Sequence, residues 1–245
     1  MNEKTFDMRN SDNIKKIGQN KDLKKLSNKW LIESSLFEYS YHFRWLGRPI
    51  IQFPQDIIAL QEIIWKIKPD LIIETGIARG GSLIFSASIL ELIGNGQVLG
   101  IDIEIRKENF RKIVKHKLSK RINMLEGSSI NENIINQVYK IARKNKRILV
   151  ILDSNHSHEH VLAELKAYSR LVKKGSYLIV FDTFIEDMPK KYAKKLIKGN
   201  WGKNNNPKTA VYEFLKHNNR FKVDKEIENK LLITQAPYGY LKCIK

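Results

Sequence analysis

Short runs of apolar residues alternate along the chain with longer segments in which apolar residues recur at helical spacing. Five runs have the length of buried strands, and they lie at 71–73, 97–103, 122–125, 147–152 and 176–181. The first four are each followed by a segment with one apolar face, as in Leu83–Ile93 and Ile130–Ala142. This alternation predicts an α/β fold with a parallel sheet.

The C-terminal part of the chain departs from this pattern. A helix is predicted to begin at Pro207, because proline suits the first position of a helix. Short apolar segments at Phe221–Asp224 and Leu231–Thr234 are predicted to be strands, and Tyr238–Ile244 is a third segment of this kind.

The N-terminal part is more polar than the rest. Residues 1–27 are Lys-rich, and we expect a loosely ordered arm or one short helix that docks on a neighbour. A helical pattern at Trp30–Tyr41 follows, and Arg44–Phe53 is predicted to be an irregular loop that lies over an active site or anchors an aromatic residue. We therefore divide the chain into an N-terminal basic arm and helix, 1–42, and one domain, 43–245.

A glycine-rich turn follows the first strand, in the sequence Asp70–Ser82. The apolar run ends at Glu74, the chain turns at Gly76, and Gly80 opens the next helical segment. Glycines here allow the backbone to approach a ligand closely, as in nucleotide-binding α/β proteins. Ala78 stands where a dinucleotide-binding motif has its second glycine, which favours a smaller adenosyl ligand over a pyrophosphate.

The second strand, Gln97–Ile103, contains the next acidic candidate. Asp102 is placed to bind ribose hydroxyls, the usual role of an acid at the end of this strand. Glu104 is a competing candidate.

Potentially catalytic residues concentrate after the fourth and fifth strands. Asp153 follows an all-apolar strand, and His156, His158 and His160 come within the next seven residues. Asp182 ends the fifth strand, so two carboxylates are expected at the same edge of the sheet. Because paired carboxylates repel each other, we predict a cation with oxygen ligands, such as Mg²⁺, between them. For His160 we favour a solvated position at the start of a helix.

The long polar segment Met188–Thr209 is predicted to be a lid over the site, because loops of this length are usually functional. Its part Trp201–Lys208 would close over the acceptor. Lysines of this segment, with Arg44 and Arg48, are candidates to hold a phosphate or nucleotide carried by the substrate.

The chain is strongly basic. It has 44 Lys and Arg against 26 Asp and Glu among 245 residues, a formal net charge of +18. This charge favours acidic partners, although the Lys-, Asn- and Ile-rich composition fits a genome-wide bias equally well. The single cysteine, Cys243, excludes an internal disulfide and fits a reducing cytoplasm. The lack of a long apolar run and of a signal peptide predicts a soluble, cytoplasmic protein.

Taken together, these motifs resemble the family of cephalosporin hydroxylase and rhamnosyl O-methyltransferase, which are class I methyltransferases dependent on S-adenosylmethionine. The resemblance runs from about Phe43 to the C-terminus and rests on ETGIARGGS, GIDIE, LDSNHSHEHV, FDTFIEDMP, NNPKTAV and LLITQAPYGYLK. It implies a Rossmann-like, mostly parallel seven-stranded sheet with helices on both faces and an antiparallel C-terminal edge.

The resemblance also implies the residues of the site. Those expected to bind the cofactor are Glu74, Gly76, Ala78, Gly80, Ser82, Asp102, Ser128 and Asp153. A divalent cation is expected at Asp153, Asp182 and Thr183, and the acceptor at Arg44, Trp201 and Lys208.

One position departs from the family pattern. Relatives that bind the metal through a Glu-Asp pair have glutamate where this chain has Phe181. The third ligand is then expected from Glu186 or Asp187, or from Thr183 or His156.

The implied activity is Mg²⁺-assisted methylation of a sugar hydroxyl in surface polysaccharide, lipopolysaccharide or glycolipid biosynthesis. Asp153, or else His156 or His158, would accept the proton as the general base. Two alternatives stay open, an RNA methyltransferase and a non-catalytic accessory protein that retains the fold. Nucleic acid is the less favoured partner, because the chain has no appended RNA-binding module. We also expect a homo-oligomer, since relatives form multimers.

Overall fold

The structure, a computed structural model, describes residues 2–197 and 199–245. Seven strands form one sheet in the order β5-β4-β3-β6-β7-β9-β8, and β1 and β2 form a separate hairpin. The strands are β1 Arg44–Trp45, β2 Arg48–Pro49, β3 Leu71–Thr75, β4 Gln97–Asp102, β5 Ile122–Glu126, β6 Ile148–Leu152, β7 Tyr177–Val180, β8 Phe221–Val223 and β9 Tyr240–Cys243.

Strands β3 to β7 are parallel, and β9 runs antiparallel to both of its neighbours, β7 and β8. The predicted fold class, a mostly parallel Rossmann-like sheet with an antiparallel C-terminal edge, is confirmed. The helices are α1 Glu3–Gln19, α2 Lys21–Ser35, α3 Pro54–Ile67, α4 Gly81–Ile93, α5 Lys107–Val114, α6 Glu132–Ala142, α7 His158–Tyr168, α8 Lys190–Leu196, α9 Pro207–His217 and α10 Lys225–Leu231.

Both faces of the sheet are buried, which explains why its central strands are apolar throughout. Ile72 faces α3 and α4, whereas its neighbours Leu71 and Ile73 face α6, α7 and α9. Strands β4 and β5 lie on one side of β3, whereas the next strand in the sequence, β6, pairs with β3 on its other side. The loops after β3 and β6 therefore diverge and leave a crevice, where proteins of this architecture bind ligands.

The N-terminal region is more ordered than its composition predicts. Two helices, α1 and α2, replace the expected loose arm or single short helix, and each is capped by an asparagine side chain. No residue of α1 is buried, and the helix lies against α10, where Gly18 lies next to Asn229. The helix is thus stabilised by a partner distant in sequence, which the local pattern did not reveal.

The predicted strand at Leu231–Thr234 is wrong. Leu231 is the last residue of α10, and residues 232–234 form a bend rather than a strand. Asp224 caps this helix by accepting hydrogen bonds from the backbone N–H groups of Glu226 and Ile227. After α10 the backbone turns at Leu232, with φ at 57°. The apolar side chains Ile227 and Leu231 pack against the core from a helix rather than a strand.

The segment predicted as an irregular loop, 44–53, is a tight hairpin followed by the start of α3. Trp45 stacks edge-on against Phe85 and donates a hydrogen bond to Ser88, so it is an anchor of the hairpin. Arg48 is buried, and its guanidinium donates to the Arg79 carbonyl and to Asn109. These contacts hold the hairpin against the glycine-rich turn.

The C-terminal segment is tied to α3 by a buried carboxylate. Asp56 accepts hydrogen bonds from the Thr234 hydroxyl, the Gln235 backbone and the Tyr240 hydroxyl, at 2.5, 2.9 and 2.7 Å. Burial raises the pKa of Asp56 to about 6, although these hydrogen bonds lower it. Among the described helices, none is long and apolar enough to cross a membrane.

Candidate active site

The glycine-rich turn brings the ends of β3 and β6 into direct contact. Gly76 has φ at 90°, and a Cβ there would overlap the carbonyl oxygen of Asp153. The Gly76 amide also donates to the Ile101 carbonyl at 2.8 Å, which joins β4 to the same turn. Only glycine satisfies both the backbone conformation and the close approach.

Asp102 supports this turn from the end of β4. Its Oδ2 accepts hydrogen bonds from the backbone N–H groups of Ile77 and Ala78, at 2.7 and 3.2 Å. In the described part of the chain, the other oxygen, Oδ1, accepts a single longer bond of 3.3 Å, from the Glu104 amide. Asp102 lines the crevice, whereas Glu104 is not among the residues that line it. The carboxylate can thus hold the turn with one oxygen and offer the other to a ligand.

Glu74 lies behind the turn and is almost completely buried. Its Oε1 accepts a hydrogen bond from the Ser82 hydroxyl, and its Oε2 has no partner among the described residues. Because burial disfavours the charged form, the pKa of Glu74 is raised to about 7. The side chain is therefore held close to its titration point at neutral pH.

The crevice is a cavity of about 520 Å³ along the carboxyl ends of β3, β4 and β6. This volume lies within the range of small-molecule sites, roughly 300–1,000 Å³. The predicted cofactor residues that line it are Gly76, Ala78, Ser82, Asp102, Ser128 and Asp153, whereas Glu74 and Gly80 lie behind its wall. Most of the residues predicted for an adenosyl ligand are thus brought together.

Two carboxylates and a histidine meet at the other end of the cavity. Asp153, His156 and Asp182 each present one ligand atom, and these atoms lie within 4.8 Å of one another. The His156 Nε2 is 3.4 Å from Asp182 Oδ2. Burial and the neighbouring Asp182 charge raise the pKa of Asp153 well above its ordinary value. Asp182 is itself in the left-handed region, with φ at 55°, as is common at functional sites.

A second polar cluster lies in the wall between these two ends. The fully buried Glu164 accepts hydrogen bonds from the Ser129 and Ser154 hydroxyls, at 2.6 and 2.7 Å. His160 lies 3.0 Å from the Ser129 hydroxyl and lines the cavity, so it is a member of this network, contrary to the solvated position we favoured. The cluster fixes the loop after β5 against the loop after β6.

Several predicted site residues have partners elsewhere. His158 points to α9, where its ring nitrogens contact Thr209 at 2.8 Å and Glu213 at 3.1 Å. The Thr183 hydroxyl is buried and donates to the Pro237 carbonyl at 2.6 Å. Neither residue is among those that line the cavity.

The predicted acceptor residues are likewise outside the described cavity wall. Lys208 is buried and paired with Asp187 at 2.5 Å, and Arg44 is exposed beside Gly47. Trp201 reaches the site indirectly, because its ring packs at a tilt against His156 with 4.7 Å between centroids.

Sequence reasoning missed several polar residues of the cavity, among them Tyr41, Gln52 and Gln235. Gln52 donates to Asp153 Oδ2 at 3.3 Å, and Gln235 accepts from the Phe53 backbone at 3.3 Å. Gln52 lies in the loop suspected of lying over the site, but the emphasis there fell on its arginines. No local signal marks Gln235, which reaches the cavity only through the fold.

With this geometry established, comparison with known proteins decides the family. The model of the rhamnosyl O-methyltransferase/CmcI family matches residues 37–244. The rhamnosyl O-methyltransferase of Mycobacterium tuberculosis is 33% identical over 190 residues, which cover 76% of this chain and 72% of that protein. The chain belongs to this family. The predicted enzyme class, an S-adenosylmethionine-dependent O-methyltransferase, is thereby confirmed.

Other relatives agree with this assignment. The rhamnosyl O-methyltransferase of Mycobacterium leprae is 31% identical over 147 residues, or 59% of this chain and 62% of that protein. Among solved structures, CmcI with Mg and SAM has a TM-score of 0.57 at 19% identity, covering 84% of this chain and 78% of CmcI. The O-methyltransferase TomG of Streptomyces achromogenes, solved with SAM, has a TM-score of 0.51 at 13% identity, with coverage of 78% and 80%. These structures share the fold of the rhamnosyl O-methyltransferase/CmcI family member described here.

Proposed function

We propose that this protein transfers a methyl group from S-adenosylmethionine to a sugar hydroxyl, with the help of a divalent cation such as Mg²⁺, in the synthesis of a surface polysaccharide, lipopolysaccharide or glycolipid. One observation carries the proposal. A single cavity has the glycine turn and Asp102 at one end and the Asp153–Asp182 pair at the other. The sugar acceptor is supported by the rhamnosyl O-methyltransferases among the relatives.

The cofactor end suits an adenosyl group. Gly76 and Ala78 form a wall without bulky side chains, and Asp102 can accept hydrogen bonds from ribose hydroxyls through its less engaged oxygen. Ser128, at the end of β5, extends the polar wall. S-adenosylmethionine supplies an electrophilic methyl group on a positively charged sulfur. The neighbouring carboxylates favour binding of this charge.

The carboxylate end fits a cation. Asp153 and Asp182 lie close together and are both partly buried. Burial raises the pKa of both carboxyls, and the Asp182 charge raises that of Asp153 further, so a compensating positive charge is favoured between them. A bound divalent cation supplies positive charge that lowers the pKa of an acceptor hydroxyl. Asp153 would then accept the proton, while Gln52 orients its carboxylate. Tyr41 and Gln235 provide further polar groups for sugar hydroxyls.

Calorimetric titration with S-adenosylmethionine, with and without Mg²⁺, tests both ends of the cavity. We expect Asp102→Ala to weaken cofactor binding at least ~10-fold, because hydrogen bonds to a charged group contribute about 1.5–3 kcal/mol. Asp153→Ala should abolish the response to Mg²⁺. The exposed Asp12, on α1, offers a matched control, and Asp12→Ala should behave as wild type.

Activity is then measured as methyl transfer to rhamnose-containing glycolipid and to RNA in parallel. Transfer to the sugar alone would support the proposal, and salt-sensitive transfer to RNA would replace it with the alternative acceptor. Absence of cofactor binding by the wild-type protein in either condition would refute the proposal and leave an accessory protein that retains the fold.

Three features of organisation belong to the same proposal. The division at 42/43 separates an N-terminal arm from the methyltransferase domain, and deletion of residues 1–42 tests whether that domain folds alone. A homo-oligomer is tested by light scattering of the purified protein. A cytoplasmic location, which suits S-adenosylmethionine chemistry and a single cysteine, is tested by cell fractionation.

A further inference from the structure

The proposed cation site at Asp153 and Asp182 has a third potential ligand, which is a nitrogen rather than an oxygen. Asp153, His156 and Asp182 each offer one ligand atom, and these three atoms lie within 4.8 Å of one another. The imidazole Nε2 is 3.4 Å from the Asp182 carboxylate, and the His156 side chain is partly accessible from the cavity. Asp153 and Asp182 follow the adjacent paired strands β6 and β7, so the sheet sets the separation of the two carboxylates, and His156 lies in the loop after β6.

Other candidate carboxylates near this position are engaged elsewhere. Glu186 accepts from the Asn204 amide at 2.8 Å and from Asn206 at 2.5 Å, and Asp187 pairs with Lys208. The residue directly before Asp182 is Phe181, which is buried in the core. In the part of the chain that the structure describes, the cation cluster therefore consists of two carboxylates and one imidazole.

The His156 ring is also held in place. Trp201 packs against it in a tilted arrangement, with 4.7 Å between ring centroids and an interplanar angle of 44°. The Trp201 loop is fastened by the Gly202–Asn205 bridge and by the hydrogen bond of Asn206 to Gly202 at 2.8 Å. A ring supported on one side and directed at Asp182 needs little reorganisation to coordinate a cation.

A nitrogen ligand changes which cation such a site prefers. Mg²⁺ favours oxygen ligands, whereas imidazole suits Fe²⁺, Co²⁺, Zn²⁺ and similar first-row ions. We infer that His156 coordinates the cation together with Asp153 and Asp182, and that this mixed set shifts the selectivity of the site from Mg²⁺ toward first-row transition metals. The inference rests on the cation requirement of the proposed function and specifies its ligands and metal class.

The test is metal binding rather than activity. Metal-free protein, without S-adenosylmethionine, is titrated calorimetrically with CoCl₂ and separately with MgCl₂. We expect His156→Asp to lower the ratio of Co²⁺ to Mg²⁺ affinity at least ~10-fold, because an all-oxygen set replaces the mixed one. His217→Ala is the matched control, since His217 lies at the end of α9, and its ratio should equal that of the wild type.

A second measurement does not depend on a variant folding. Pulsed electron paramagnetic resonance of Mn²⁺ bound to the wild type should show coupling to a ¹⁴N nucleus, and His156→Asp should lose it. An unchanged affinity ratio, or Mn²⁺ without nitrogen coupling, would overturn the inference. If His156→Ala lost activity while metal binding stayed intact, His156 would act on the proton instead. In each of these outcomes intact binding of S-adenosylmethionine would leave the proposed function standing.

Discussion

The buried carboxyl of Glu74 makes a quantitative prediction about stability and pH. Its pKa is raised from 4.5 to about 7, mainly by burial, with one oxygen hydrogen-bonded to Ser82 and the other without a partner among residues 2–197 and 199–245. The folded state therefore holds this proton more tightly than the unfolded state does. The contribution of Glu74 to the free energy of unfolding must then fall as pH rises from about 4.5 to 7, because over this range the unfolded state releases the proton that the folded state still holds.

The substitution Glu74→Gln removes this charge and keeps the shape of the side chain. A pKa difference of about 2.5 units corresponds to about 3 kcal/mol at 1.36 kcal/mol per unit. We expect the two proteins to have the same free energy of unfolding near pH 4.5. At pH 8 the free energy of unfolding of the variant should be higher by up to about 3 kcal/mol. The gain should be fully present above pH 7.

Urea unfolding of both proteins at pH 5, 6, 7 and 8 measures this difference. Other buried acids, such as Asp56, also contribute to the slope of each protein, but they cancel in the difference between the two. The exposed Glu132, in the first turn of α6, supplies the control, and Glu132→Gln should show no comparable change with pH. A stability difference that is the same at pH 5 and pH 8 would refute the reasoning.

Three further changes test the contacts that build the site. Gly76→Ala should lower the free energy of unfolding by about 2 kcal/mol more than Gly175→Ala, because both glycines have positive φ but only the first would place a Cβ against backbone; equal losses in thermal unfolding would contradict this. Asp56→Ala should cost about 3 kcal/mol in urea unfolding, because it leaves buried donors without their acceptor; a loss below about 1 kcal/mol would count against that network. Lys208→Met should leave the acceptor KM unchanged in methyl-transfer assays, because its ammonium is paired with Asp187; a large rise in KM would restore it as a substrate contact.

The sequence alone determined the central sheet and the glycine-rich turn at one end of the cavity. Buried parallel strands are apolar throughout, and a glycine turn follows its strand directly, so both are properties of adjacent residues. Asp102, Asp153 and Asp182 were predicted for the same reason, because a polar residue that ends an apolar strand lies at the edge of the sheet. The family resemblance, which rests on these same segments, supplied the seven-stranded sheet with its antiparallel C-terminal edge and the enzyme class.

Tertiary structure decided which polar residues face the cavity. His156 and His158 lie two positions apart in one motif, yet the first faces Asp182 and the second faces Glu213, because α9 packs against the start of α7. Gln52 meets Asp153, which lies 101 residues away in the sequence. Helix α10, which ends where a strand was predicted to begin at Leu231, likewise depends on packing against the distant helices α1 and α3. Local sequence encodes backbone conformation and burial, but the direction in which a polar side chain points depends on contacts that form only when distant segments pack together.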